Sequence, residues 1–200
     1  DNMVNDKYAM NKESVIDLTK YLINLRKQAG HLSRTKLAFY MDMSHSCVEY
    51  LEKNTASIPQ FETLLRLIGY WKLSDEQVAE IYKAFCNQGE KLKIVDKNII
   101  VKSTKVKINR DELYNLSSFW YNSRKNLKLN IRKVTFETGI SLSSISNAET
   151  GKIISNLSVM IPLCKFYGVT ESQVLDFYHR AVPSLNDKEQ SKILIKNNIR

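Results

Sequence analysis

Two parts of the chain repeat each other at a nearly constant distance, and this duplication restricts the folds that the chain can adopt. QVAEIYKA at 77–84 resembles QVLDFY at 173–178, and each segment begins with the Gln of a Ser/Thr-x-x-Gln capping box. The shift between the segments is 96 residues, and the same shift places Trp71 on Tyr167. Because caps, polar residues and lengths match together with the apolar residues, the sequence predicts a duplicated unit.

The alignment continues towards the N-terminus with two one-residue changes of shift. It places Glu52 on Glu149 and Arg26-Lys27 on Arg124-Lys125. Apolar residues follow helical spacing throughout, so we expect five helices in each copy. The expected helices are 14–29, 34–41, 45–53, 60–71 and 74–85 in the first copy, and 111–126, 131–138, 142–150, 156–167 and 171–181 in the second.

Residues that favour helix ends lie where these helices should begin and end. Expected stops are Gly30, Gly139 and Gly168, and expected starts are Ser33, Ser44, Asn130 and Ser141. We therefore predict an all-α fold of two tandem five-helix domains, residues 1–88 and 111–182. A basic linker, 89–110, joins them and also suits a small hairpin turning at Asp96-Lys97-Asn98, and a basic tail covers 183–200.

The net charge of +9 is unevenly placed along the chain. Residues 1–88 hold 11 Lys/Arg and 11 Asp/Glu, whereas residues 89–200 hold 19 and 10. The whole positive excess therefore lies in the second part, which indicates a polyanionic partner for it. A surface that serves only solubility is the alternative interpretation of the charge.

Several classes of protein lack support in the sequence. Cys47, Cys86 and Cys164 are far apart and have no CxxC spacing, so we expect neither a disulfide framework nor a zinc site. His31 and His45 have no partners at metal-ligand spacing, and we predict no metal and no cofactor. No membrane-length apolar run or signal layout is present, so we expect a reduced cytoplasmic protein. No Gly-rich phosphate loop, nucleophile elbow or paired-carboxylate motif is found, and we predict that the chain is not an enzyme.

The second and third helices of each copy are short and separated by three or four residues, which is helix-turn-helix spacing. Such a pair needs a small residue where the helices cross, a turn residue that tolerates a left-handed backbone, and inward apolar residues on the second helix. Both copies supply these residues at the same offsets of four, ten and thirteen. They are Ala38, Asp42, Val48 and Leu51 in the first copy, and Thr135, Gly139, Ile145 and Ala148 in the second.

Both copies resemble the Cro/phage-repressor type of helix-turn-helix domain, which is found in many bacterial and phage regulators. GISLSSISNAETGK at 139–152 is similar to the family's turn and recognition helix with its Glu-x-Gly-Lys ending, and LSVMIPLCKFYGVT at 157–170 is similar to its fourth helix. The first copy departs from the pattern, with Asn54 where Gly is usual and Asp42 in place of Gly139. The resemblance covers residues 20–85 and 118–181 and implies lambda-repressor-like domains.

In this family the third helix enters the major groove of double-stranded DNA. In the second copy the outward residues would be Leu142, Ser143, Ser146, Asn147 and Thr150. Asn147 suits an adenine edge and Leu142 suits a thymine methyl group. The expected phosphate contacts are Arg124, Lys125, Lys128, Arg132, Lys133 and Lys152. A polar, solvated helix with no partner is the alternative.

The first copy is less clearly a DNA-binding unit. Its outward residues would be His45, Ser46, Glu49, Tyr50 and Lys53, and its expected phosphate contacts are Arg26, Lys27, Arg34 and Lys36. Glu49 would repel a phosphate, although it can accept from a cytosine amine. This copy either binds DNA with a different preference or serves as a protein-interaction module.

These observations predict a sequence-specific transcriptional regulator, a repressor in preference to an activator. The alternative is an interaction or antitoxin-like module in which residues 1–88 mediate assembly or peptide binding. Fully extended, the linker spans about 80 Å, more than the roughly 34–36 Å between half-sites one DNA turn apart. One monomer could thus occupy two unlike half-sites, while a dimer through the linker or tail, with Ile193, Leu194 and Ile199, is the other arrangement.

Overall fold

Ten α-helices form the described structure. The computed structural model describes residues 7–29, 32–54, 56–92 and 105–183, and no strand occurs within these ranges. The all-α prediction is confirmed, and every helix bound lies within two residues of the expected one. The helices are α1 Lys12–Gln28, α2 Arg34–Tyr40, α3 His45–Lys53, α4 Phe61–Trp71, α5 Asp75–Cys86, α6 Arg110–Asn126, α7 Ile131–Thr138, α8 Leu142–Thr150, α9 Leu157–Tyr167 and α10 Glu171–Ala181.

Side chains at the predicted starts cap the helices. The oxygens of Ser33, Ser44, Asn130 and Ser141 each accept a hydrogen bond from a backbone N–H in the first turn of α2, α3, α7 and α8. Both capping boxes form, since the side-chain oxygens of Gln77 and Gln173 accept hydrogen bonds from the backbone N–H groups of the cap residues of α5 and α10. These bonds satisfy backbone donors that a helix start leaves unpaired, and they explain why the bounds could be predicted.

The turns between the paired short helices use the left-handed backbone in both copies. Gly139 ends α7 with a φ of 72°, and Asp42 follows α2 with a φ of 53°. The inward residues of α3 and α8 that were expected in the core are buried, as is Ala38 at the helix crossing. Thr135, the other small residue, is only partly buried, and its hydroxyl oxygen has no hydrogen-bond partner among the described residues.

Each set of five helices has its own inner packing. In the first set, α1 lies against α3, α4 and α5, with Leu18 and Leu22 completely buried. In the second set, α6 and α7 both lie against α8 and α9, around Trp120, Ile145 and Leu163. The third helix of each set therefore packs against apolar side chains of its neighbours.

The two sets are joined through equivalent helices, because α5 packs against α10. Lys83 Nζ lies 3.5 Å from a carboxylate oxygen of Glu171, and His179 Nε2 lies 3.0 Å from a carboxylate oxygen of Asp75. The shift of 96 residues maps the first pair onto the second with the helices exchanged. Reciprocal contacts of this kind indicate an approximate two-fold relation between the copies.

Apolar contacts accompany these ion pairs. Phe61 of α4 stacks on Phe177 of α10 with ring centroids 5.9 Å apart, and the Tyr82 hydroxyl donates to the carbonyl oxygen of Val169 at 2.8 Å. Leu157 and Tyr178 of the second copy belong to the same hydrophobic core as the residues of the first. Packed helices therefore set the placement of the copies, and the reach of an extended linker does not determine it.

Some expectations concern residues outside the described ranges. These are the hairpin at Asp96-Lys97-Asn98, the tail residues Ile193, Leu194 and Ile199, and the two residues Gly30 and His31. The domain boundaries at 88, 110 and 182 likewise stay predictions.

Because one core contains residues of both copies, we expect the chain to unfold as one cooperative unit. Trp71 lies in the first copy and Trp120 in the second, so each reports its own half. In Trp71→Phe and in Trp120→Phe, the fluorescence of the remaining tryptophan should have the same urea midpoint as the helical circular dichroism signal of that variant. Separate midpoints in either variant would show that the copies unfold independently.

Candidate nucleic-acid interface

The helix α8 has one side packed against neighbouring helices and one side facing outward. Ile145 and Ala148 are buried against α6 and α7, and the Ser141 hydroxyl caps the first turn. Gly151 ends the helix with a φ of 66°, and a Cβ there would lie 3.1 Å from the Ser117 hydroxyl oxygen of α6. The close approach and the left-handed backbone both favour glycine at this position.

The outward side of α8 carries five residues, and all five were expected there from the sequence. Leu142 is 45% exposed, Ser143 and Thr150 are exposed, and Ser146 and Asn147 are half-buried. Thr150 donates to the Ser146 carbonyl oxygen at 2.8 Å, so its hydroxyl is occupied within the helix. The Asn147 amide makes no hydrogen bond to any other described residue, which leaves its donors and its acceptor available to a partner.

Four basic residues near the ends of α6, α7 and α8 have no carboxylate partner in the described ranges. They are Lys125, Lys128, Arg132 and Lys152, and all four are exposed. Lys133 differs, because its ammonium lies 2.6 Å from the Glu137 carboxylate one helical turn away. The five outward residues of α8 and these four cations are together called the α8 surface below.

Arg124 does not belong to the α8 surface, and its expected phosphate contact is corrected. Its Nε and Nη2 donate to the two carboxylate oxygens of Glu149 at 2.7 and 2.6 Å, and its Nη1 donates to the Leu129 carbonyl oxygen at 3.0 Å. The side chain is only 10% exposed. The hydrogen bond to Glu149 also raises the pKa of the guanidinium. Arg124 therefore ties α6 to α8, and its charge is already matched.

The same arrangement occurs in the first copy, so Arg26 is also removed from the phosphate contacts. Arg26 donates to Glu52 and to the Leu32 carbonyl oxygen, as Arg124 does to Glu149 and Leu129. Arg34 donates to the second oxygen of Glu52 and is thus also paired. Burial tends to raise the pKa of the Glu52 carboxyl, but both arginines outweigh it and hold this pKa below its usual value.

The outward side of α3 is more nearly neutral than that of α8. His45, Ser46 and Tyr50 are exposed, while Glu49 forms an ion pair with Lys53 at 2.7 Å. The hydrogen bond from Lys53 lowers the pKa of the Glu49 carboxyl, so it is ionised at neutral pH. Lys27 and Lys36 are exposed and have no carboxylate partner in the described part of the chain.

The buried Arg–Glu pair of each copy was not predicted from the sequence. The signal was present, because the repeat alignment places Arg26 on Arg124 and Glu52 on Glu149. A basic and an acidic residue that recur together at matching positions indicate a contact between them. When each arginine is considered without the repeat alignment, its charge alone predicts a phosphate contact.

Other kinds of site receive no support from the described residues. No group of three or more His, Cys, Asp or Glu within them is placed to hold a metal ion. No helix in these ranges has the length and apolar character needed to cross a membrane. Comparison with protein-family models, with curated proteins and with solved structures finds no match to this chain.

Removal of one partner of the buried pair should destabilise the protein strongly. Glu149→Ala leaves the Arg124 charge buried and unpaired, and we expect the free energy of unfolding to fall by about 3 kcal/mol. Glu80→Ala, which breaks an exposed pair with Lys83, is the control and should cost far less. Urea denaturation of both variants measures the difference, and equal losses would contradict the assigned role of Glu149.

Proposed function

We propose that the chain is a sequence-specific DNA-binding transcriptional regulator with a helix-turn-helix module in each copy. In this proposal α8 lies in the major groove as the main reading helix, and α3 reads a second site with a different preference. The observation that carries the proposal is the α8 surface, which combines groups able to read bases with cations that have no carboxylate partner among the described residues.

The chemistry of the α8 surface suits a DNA duplex. The free Asn147 amide can make two hydrogen bonds to an adenine edge, and Leu142 can contact a thymine methyl group. Serine side chains are small enough to let the helix approach the groove floor. Lys125, Arg132 and their neighbours would neutralise phosphates and release bound counterions. Base readout and phosphate contact are therefore available on one surface.

The difference in charge between the α8 and α3 sides supports unequal contributions of the two copies to DNA affinity. The α8 surface has four cations without a carboxylate partner in the described ranges, and the only carboxylate on α8 belongs to the buried Glu149. The α3 side has two unpaired cations, Lys27 and Lys36, and the ionised Glu49 at its centre. Phosphate attraction is thus stronger at α8, and we assign most of the affinity to the second copy.

Repression is the mode of regulation that we favour. A bound protein can block transcription by occupying its site, whereas activation requires a further surface that recruits another protein. In this proposal each described helix belongs to one of the two helix-turn-helix modules or to the contact between them, and none is assigned to recruiting another protein. Occupation of DNA alone is therefore the simpler consequence of this architecture.

A second candidate function concerns the first copy. Phe39 and Tyr50 are each 58% exposed, and Glu49 lies beside Tyr50 on α3. Exposed aromatic residues are enriched where proteins bind one another. In this alternative the first copy is a protein-interaction or antitoxin-like module, and only α8 contacts DNA.

Titration of the whole chain with duplex DNA at two salt concentrations tests the proposal. Neutralisation of four phosphates by the α8 surface predicts a slope of log K against log salt of about −3.6 or steeper. Lys152→Ala should weaken binding to all sequences alike and reduce the slope by about 1. Asn147→Ala should cost about 1–3 kcal/mol at a specific site and relax the preference at one base pair.

Asn24→Ala, which removes an exposed asparagine from α1, is the matched control and should change neither affinity nor preference. If Asn147→Ala leaves the sequence preference unaltered, α8 does not read bases through this residue. If the affinity is insensitive to salt, the proposed DNA contact is wrong.

A further inference from the structure

A cavity of about 300 Å³ lies between the two copies, beside the contact of α5 with α10. Its walls come from α4 and α5 of the first copy and from α6, α9 and α10 of the second. The cavity is partly open to solvent, so its walls leave apolar surface accessible. Accessible apolar surface in a concave site often marks the place where a ligand or partner binds.

The walls of the cavity are mainly aromatic and aliphatic. Phe61 and Phe177 stack on each other there from opposite copies, and Trp120, Met160 and Leu116 contribute further apolar surface. A water molecule against these walls would form few hydrogen bonds, because a bound internal water needs two to four polar partners. Apolar cavities of about half this volume are large enough to hold a benzene molecule. The interior thus favours an apolar occupant.

The charged residues that line the cavity are Glu112, Asp176 and Arg180, and all three belong to the second copy. Arg180 donates to the Glu112 carboxylate at 3.0 Å, so these two charges offset each other. Asp176 is exposed and makes no ion pair with any described residue. The charge that remains is negative, which disfavours an anionic occupant and favours a neutral or cationic one.

We propose that this cavity is a binding site for a compact apolar small molecule that is uncharged or positively charged at one end. Its occupant touches helices of both copies and so favours one relative placement of them. The proposal of a binding site depends only on the cavity and not on the proposed function. Its use as an effector site that alters DNA binding rests on the proposed function.

Two fluorescent probes that differ by one sulfonate test the site in the absence of DNA. N-phenyl-1-naphthylamine is apolar and uncharged, and 8-anilino-1-naphthalenesulfonate is the same molecule with a negative charge. We expect the neutral probe to bind the whole chain at a 1:1 ratio and at least tenfold more tightly than the anionic probe. No binding of the neutral probe, or equal binding of both, would overturn the proposal.

Cavity-filling variants locate the bound probe. Val174→Trp places a large side chain in the cavity, and Ser172→Trp places the same side chain on an exposed site of the same helix. The first should weaken binding of the neutral probe at least tenfold, and the second should leave it unchanged. Leu116→Trp on α6 fills the cavity from the facing wall, and the same loss is expected there.

Circular dichroism identifies which filling variants keep the helical fold, and only those are compared. Unchanged binding by a folded Val174→Trp or Leu116→Trp would place the probe elsewhere and contradict the proposal. If neither variant folds, the comparison of the two probes decides alone. Because every measurement omits DNA, failure of this proposal is distinct from failure of the DNA-binding proposal.

Discussion

The packing of α5 against α10 is the contact on which the remaining architecture depends. It joins the last helices of the two five-helix sets, so that side chains of both sets share one hydrophobic core. The polar contacts at its edge, Lys83 with Glu171 and His179 with Asp75, are about half exposed and contribute little stability. Burial of apolar side chains such as Phe61 and Phe177 is therefore the main force that holds the copies together.

This contact changes the way in which two reading helices could act on DNA. With a flexible connection, each module would find its site separately, and the linker would set only the reach. With α5 packed on α10, α3 and α8 move together, and their spacing is a fixed property of the fold. In the proposed function the distance between half-sites is consequently set by the protein, and one chain is sufficient to read both.

Much of the fold was predictable because its determinants are local. Helical periodicity, capping serines and the left-handed residue Gly139 act within a few positions of the chain, and the helix bounds agree with the structure for this reason. The contact between copies depends on which apolar side chains of α5 face outward, and periodicity alone does not reveal that. The cavity depends on the same contact and could not be predicted from the sequence either.

The candidate site was predictable in part. The part that could not be predicted is which of its charged residues have partners elsewhere in the fold. The outward residues of α8 follow from helical geometry once Ile145 and Ala148 are assigned to the core. The roles of Arg26 and Arg124 depend on glutamates about 25 residues away, which approach them only in the folded chain. A positive charge in a sequence therefore indicates a possible phosphate contact only after its internal partners are known.

Selection of bound sequences from random duplex DNA, with the whole chain, tests the central claim most directly. The account predicts enrichment of two unlike half-sites at one fixed spacing, bound by a single chain, since α3 and α8 differ in their outward residues. A perfect palindrome bound by a stable dimer, with the first copy off the DNA, would contradict it and favour an interaction role for that copy. The absence of any enriched sequence would contradict base readout by either helix.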